Sequence, residues 1–533
     1  MGQCIDVGVP ASACAGFRSD GLGGCAYDFD PCSYDYQIAA PDNNCRVLEC
    51  AAMPPLGFDQ YVDGTYEGES TGAIDAPWKR IRDAVDHALD GQRIYVDGSA
   101  SASTQYAENV RLERGISLSG RCRRSVVIVG APGAPAIALL ADPLTGALGS
   151  VSGVTVTGGS AGIRIEGGNP RGATTLSEIG IQEVAGPGIS VLRADVTIAA
   201  SYVRGVADTG ILIQGAGIPT GPRVVVMASS VEGVQSAVEG SRTRCLSAIP
   251  EVTSAAEGGG PEVTVEGSLL ADCGDTGIYA AGATVTVRRT VVRGASRLGL
   301  LAEDFPLWAQ FAPGSGLETV IELFGSVIED SSDVAISVRN VRSMTIEDTT
   351  LRNIAGQPQS VGENACREGG VGLWARADAT DDESTGFRYP STISVSRSSI
   401  QASRVAGIQL QGVSASINAS IVSDTHTDAR HDCPRAFGDG IAVYSNQVES
   451  NLTLDATRIE NSERAGLVRF GQQGNVRVGG AELECNGLGL VAEADGAEIV
   501  LAAPASVVCG CGGNAHLCSV ERRDIAASLV GLP

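Results

Sequence analysis

Lysine is almost missing: of 38 Lys and Arg residues in this 533-residue chain, only Lys79 is lysine. Schiff-base chemistry and a phosphate-cradling lysine therefore have almost nowhere to reside. Histidine is scarce, with four residues, and no Cys-x-x-Cys pair occurs, which argues against an ordinary zinc site. Aromatics make up only 4%. No uninterrupted run of about 18 apolar residues exists, so nothing spans a membrane as a helix. Positive charge is also short. The formal net charge of −24 favours solubility and disfavours nucleic acid, whose binding draws on neutralised phosphates. The start, Met1-Gly2-Gln3-Cys4, lacks the basic and apolar regions of an export leader. An exported protein would then be seen here in its mature form. Asp6 stands where a myristoylation signal needs Ser or Thr.

What is abundant points one way. Glycine reaches 69 of 533 residues, nearly twice the usual share of about 7%. Much of it falls in a degenerate unit that returns every two to four dozen residues. A strand opening on Gly-Ile or Gly-Leu recurs at Gly162, Gly188, Gly210, Gly277, Gly299, Gly372, Gly407, Gly440, Gly466 and Gly489. A second strand ending in Ser-x-Ile or a close variant follows, as in DVTIAASYV, VTVEGSLL and STISVSRSSI. Short β-segments at that period cannot bury an apolar face alone and must stack on one another. The expected fold is all-β: a solenoid of stacked β-coils. Its narrow interior suits Val, Ile, Leu and Ala, and the shortage of rings agrees with that.

Fifteen cysteines are present, six of them in the first fifty residues: Cys4, Cys14, Cys25, Cys32, Cys45 and Cys50. Four more crowd the end: Cys485, Cys509, Cys511 and Cys518. In an acidic chain, such clusters amid Gly, Pro and Asp read as disulfides made in an oxidising compartment. The expected organisation follows. Residues 1–57 form a cysteine-rich module held by three disulfides, and 58–92 a linker and capping helix. The coil occupies 93–508, and a terminal cysteine loop 509–533. Asp75 and Pro77 start the helix, Trp78, Ile81, Val85 and Leu89 share its face, and Gly91 stops it. Its expected job is to lid the open end of the coil. Insertions near 241–261, 303–318, 356–370, 376–390 and 424–439 are expected to leave one corner and gather on one side, where sites usually lie.

The opening Tyr61–Gly120 carries YVDGTYEGESTG, APWKRIRDAV, GQRIYVDG and YAENVRLERGISLSG. It resembles the start of bacterial right-handed parallel β-helix proteins of the pectin-lyase-like superfamily. The cysteine-rich front and Arg-heavy composition resemble secreted β-helix proteins of predatory or soil deltaproteobacteria. The resemblance implies a fold and a location that is secreted or on the outer cell surface. Characterised members include pectate lyases, polygalacturonases, rhamnogalacturonan hydrolases, alginate epimerases and adhesins. The Gly-His-Gly of polygalacturonases is missing, and Lys79, in the cap, is no lyase base. An Arg-base lyase assisted by Ca2+ stays open, because Arg and Asp are plentiful.

The densest candidate is the insertion SDTHTDARHDCPRAFGDG, with Asp424, His426, Asp428, Arg430, His431, Asp432, Arg435 and Asp439. Such carboxylates and imidazoles could bind a cation or share a proton with a sugar hydroxyl; the alternative is a solvated loop pinned by Cys433. Cys366 precedes Gly372 much as Cys433 precedes Gly440, which suggests a Cys366–Cys433 staple. A second candidate joins Trp374 and Tyr389 to Asp381 and Asp382 as a sugar platform, unless the ring tucks into the coil. Three readings compete: a structural or binding β-helix directed to carbohydrate or a cell-surface component, a polysaccharide lyase or hydrolase with a lateral groove, and a subunit of an extracellular assembly. The oligomeric state is left open.

Overall fold

The computed structural model describes residues 7–14, 18–26, 37–39, 45–47, 50, 55–98, 103–168, 172–215, 221–235, 242–251, 260–303, 318–356, 369–377, 391–427, 437–445, 448–493, 497–502, 507–509, 516–517 and 519–523. These residues form a right-handed parallel β-helix of three long sheets with 16, 15 and 16 strands. One turn of the coil visits each sheet once. Leu269–Cys273 lies in sheet A, Thr276–Ala281 in sheet B and Thr284–Arg288 in sheet C. The next turn repeats the order with Val291–Arg293, Leu298–Glu303 and Val320–Phe324. Parallel pairing reaches from Gln60–Val62 to Val520–Arg523.

Both sequence motifs have a physical cause. The Gly-Ile glycine enters sheet B where successive turns touch backbone to backbone. A Cβ on Gly299 would stand 2.6 Å from the Ala335 carbonyl oxygen, and one on Gly407 2.7 Å from that of Gly440. The aliphatic residue after it stacks inward: Ile278, Leu300, Ile336, Leu373, Ile408 and Ile441 occupy one register position and are fully buried. The Ser-x-Ile serine, or Thr290 in its place, sits at the tight corner between sheets C and A, after a residue in the left-handed conformation such as Ala200 (φ 49°), Ala228 (φ 46°) or Arg289 (φ 46°). Its hydroxyl donates to the carbonyl two residues back and accepts the amide of the equivalent residue one turn earlier. Thus Ser201 N–H donates to Ser229 Oγ at 3.1 Å, and Ser229 N–H to Ser268 Oγ at 3.2 Å. Ser229 Oγ in turn donates to Met227 O at 2.8 Å. The ladder satisfies corner amides that would otherwise be buried without a partner.

The capping helix is shorter than expected. It runs Ile81–His87, so Trp78 precedes it in a bridge to Val62, and Leu89 follows it, 67% exposed. No side chain of its own caps it; Glu108 does so from the coil, accepting Ile81 N–H at 2.9 Å and Arg82 N–H at 3.0 Å. Ile81, Ala84 and Ala88 join the continuous core and seal the first turn.

The front of the chain departs from a self-contained module. Cys14 bonds Cys25, but Cys50 bonds Cys122 inside the coil. Cys14–Cys25 closes a loop that lies across the outer face of sheet A, far from the coil start. Val9, Cys14 and Cys25 pack on Leu269, Ala271, Val291 and Val327. Gly8 N–H donates to Ala419 O at 2.8 Å, and Cys25 N–H to Thr350 Oγ1 at 2.7 Å. This strap covers six successive strands of sheet A, about 24 Å at ~4.8 Å per strand. A third bridge, Cys245–Cys273, lies within the coil, and Cys485 and Cys509 are also disulfide-bonded. Cys45 begins the strand Cys45–Val47. Cys4, Cys32, Cys366, Cys433, Cys511 and Cys518 lie outside the described residues, as does the suspected Cys366–Cys433 staple.

Candidate functional site

Insertions leave two corners of the coil, not one. Between sheets A and B they join Val234 to Arg244, Ile354 to Val371 and Ser423 to Asp439. Between sheets B and C they join Pro250 to Glu262, Glu303 to Val320 and Arg376 to Thr392. From Ser152 to Ile421 the C-to-A corner stays two residues long, as from Arg288 to Val291, and the hydroxyl ladder occupies much of that stretch. Both sets of insertions therefore flank sheet B, whose outer face becomes the floor of a lateral cleft.

The cleft is lined by Arg242, Asp275, Arg297, Leu301, Glu303, Asp333, Arg339, Trp374 and Arg376, among others. Register explains why they meet. Tyr279, Leu301, Ser337, Trp374 and Gln409 form one outward column along successive turns, and Glu303, Arg339, Arg376 and Gln411 a second. Arg297 is central, with Nη1 3.3 Å from Asp275 Oδ1 and Nη2 3.7 Å from Asp333 Oδ2. Burial pushes the Asp333 carboxyl above its ordinary value, while Arg297 pulls it back part of the way. Nearby, the Arg244 guanidinium lies 3.6 Å from the Tyr279 ring centroid, and the Tyr279 hydroxyl donates to Glu303 Oε1 at 2.6 Å. Burial raises the Tyr279 phenol and lowers the Arg244 guanidinium. Trp374 faces the cleft from Val371–Arg376; it is 9% exposed, and its indole N–H has no hydrogen-bond partner among the described residues. Asp381, Asp382 and Tyr389, expected beside it, lie outside the described residues.

The insertion after Ser423 is described only at its ends, and Asp428, Arg430, His431, Asp432 and Arg435 fall outside. Its described residues take separate partners. Asp424, left-handed at φ 53°, accepts a hydrogen bond from Asn461 Nδ2 at 3.0 Å. His426 Nδ1 meets Glu463 Oε1 at 3.1 Å on the surface. Asp439 is 1% exposed and engages Arg464, whose Nε donates to it at 2.7 Å. Among the described residues, no group of three or more His, Cys, Asp or Glu could hold a metal ion. No helix there is long and apolar enough to cross a membrane.

Sequence reasoning passed over Asp275, Arg297 and Asp333. The signal was present: each stands two residues before the motif Gly277, Gly299 or, in its place, Ala335. Aligning the repeats on that position displays an Asp–Arg–Asp column on neighbouring turns.

No family model and no curated protein matches this sequence. Similar solved structures include the catalytic unit of a thermostable GH87 alpha-1,3-glucanase from Streptomyces thermodiastaticus, at 12% identity and TM-score 0.42, covering 90% of this chain and 71% of that one. The periplasmic alginate epimerase AlgG matches at 11% identity and TM-score 0.39, covering 83% of each chain. A PL6 alginate lyase in complex with a trisaccharide matches at 12% identity and TM-score 0.33, covering 79% of this chain and 86% of that one. The fold described above rests on this chain's own strand pairing.

Proposed function

We propose that the cleft on sheet B binds an anionic polysaccharide, and that the protein is an exported glycan-binding β-helix. One observation carries the reading: in a chain of net charge −24, the cleft gathers four arginines against three carboxylates around a buried Trp374. Planar guanidinium groups suit carboxylate or sulfate substituents, and the Trp374 ring in the cleft wall offers an apolar surface for a sugar ring to pack on. Repeats of about 4.8 Å along the floor place side chains at equivalent positions for successive sugar units. The disulfides Cys14–Cys25, Cys50–Cys122 and Cys245–Cys273 favour an oxidising compartment, hence an extracellular or periplasmic setting.

Cleavage in the same cleft is the second reading, favoured by Asp333. A carboxyl raised by burial is a suitable proton donor, and Arg297 holds it in place. The binding test is titration calorimetry with polygalacturonate, alginate and a neutral glucan at two salt concentrations. Affinity for the uronates alone, weakened by salt, is expected. Trp374→Ala should lower it about fivefold, the worth of about 1 kcal/mol of lost ring contact. Equal affinity for the neutral glucan, or no effect of Trp374→Ala, would count against the reading. New unsaturated or reducing ends in the same mixtures would move the assignment to cleavage.

A further inference from the structure

We infer that the internal disulfide Cys245–Cys273 is a positioning lock for the mouth of the cleft; this rests on the cleft being the binding site. The register identifies what the bridge replaces. Arg244 pairs with Thr209 on one side and Thr276 on the other, so Cys245 stands between Gly210 and Gly277, in the place of the motif glycine. In other turns a small hydroxyl from the next turn's A–B corner lies over that glycine: Ser331 over Gly299, Ser403 over Gly372 and Ser462 over Gly440. Cys273 occupies the same corner position, four residues after Leu269 as Ser331 follows Val327. At this one turn, the glycine–hydroxyl contact is exchanged for a covalent bond.

The exchange falls at a strand with insertions at both ends. Strand Arg244–Pro250 is entered from an insertion and left through another, so neither end is fixed by a tight corner. Its first residue carries the guanidinium stacked on Tyr279, and the guanidinium's Nε has no hydrogen-bond partner among the described residues. Two residues beyond Cys273, Asp275 holds Arg297. The amides of Asp275 and Thr276 both donate to Thr243 O, at 3.0 and 3.1 Å, knitting the same corner. The bridge thus joins the residue after Arg244 to the residue two before Asp275. With exposures of 0% and 1%, the sulfurs lie inside the coil, out of reach of reductants in the folded protein. The bond acts by geometry, holding two adjacent turns in register.

The test is Cys245→Gly/Cys273→Ser, which restores the pair found in other turns and so retains the fold. Cys245→Ala/Cys273→Ser is the second variant, because Ala335 fills the glycine position in another turn. Amide hydrogen exchange of residues 244–247 and 275–279 should quicken at least tenfold, with Ile163–Glu166 and Ile189–Leu192 unchanged. Affinity for polygalacturonate should fall at least fivefold with the circular dichroism spectrum intact. Unchanged exchange at those strands overturns the lock, as does uniform quickening along the whole coil. Unchanged affinity in a variant whose strands exchange faster overturns the positioning role. A wild-type protein that binds no uronate removes the glycan reading alone, and the exchange measurement still decides the lock.

Discussion

Asp333 shows how one side chain couples the cleft to pH. Its carboxyl is pushed up by burial, against the pull of Arg297. A group whose folded pKa exceeds its unfolded value, about 4 for Asp, contributes stability fully below that value. The contribution is lost as pH rises through the folded pKa. Relative to Asp333→Asn, the wild-type protein should therefore lose stability as pH rises above about 4. Urea midpoints of both proteins over a pH series measure it, and a wild-type protein that gains stability relative to Asp333→Asn as pH rises would contradict the assignment. Arg297, placed between Asp275 and Asp333, limits the loss by favouring the ionised form.

Among the elements, the capping helix depends most on a single distant residue. Seven residues are too few to stand alone in water, and this helix borrows its N-terminal cap from Glu108. The Tyr-x-Glu-Asn-Val motif there is legible in sequence, and each polar member makes a bond across turns. Tyr106 Oη donates to Asp97 O at 2.7 Å, and Asn109 Nδ2 donates to Pro135 O at 2.9 Å. Glu108→Ala should cost about 1–2 kcal/mol, the usual range for a lost cap. The loss should be read as faster amide exchange at Ala84 and Ala88 and a lower melting temperature. No change in either would mean that burial of Ile81 and Ala84 alone holds the cap. The misplaced helix start has a simple origin: Asp75 and Pro77 look like a start, but Trp78 is drawn into a bridge with Val62 and donates to Gln60 Oε1 at 2.7 Å.

The whole molecule is a stack in which each turn touches mainly its neighbours, so its cooperativity would ordinarily decay with length. The N-terminal strap opposes that by lying across six successive strands of sheet A. Gly8 reaches Ala419, while Val9 and Cys14 share a cluster with Leu269. Deleting residues 1–26 should expose Val291 and Val327, which are 1% and 0% exposed in the intact chain. Dye binding to apolar surface should appear, and the single urea transition should broaden or split. A truncated protein that unfolds in one transition at the same midpoint would show that the strap contributes no coupling.

The repeat period, the glycine that opens most sheet-B strands and the hydroxyl that follows many sheet-C strands determine the coil by themselves. Each is a local steric or hydrogen-bonding demand met anew at every turn, and so it is written into every repeat. The destination of residues 7–14 and 18–26 and the pairings Cys50–Cys122 and Cys245–Cys273 were decided only in three dimensions. So was the meeting of Asp275, Arg297 and Asp333. These partners belong to different turns, and spacing along the chain carries no information about distance across a stack whose insertions vary in length.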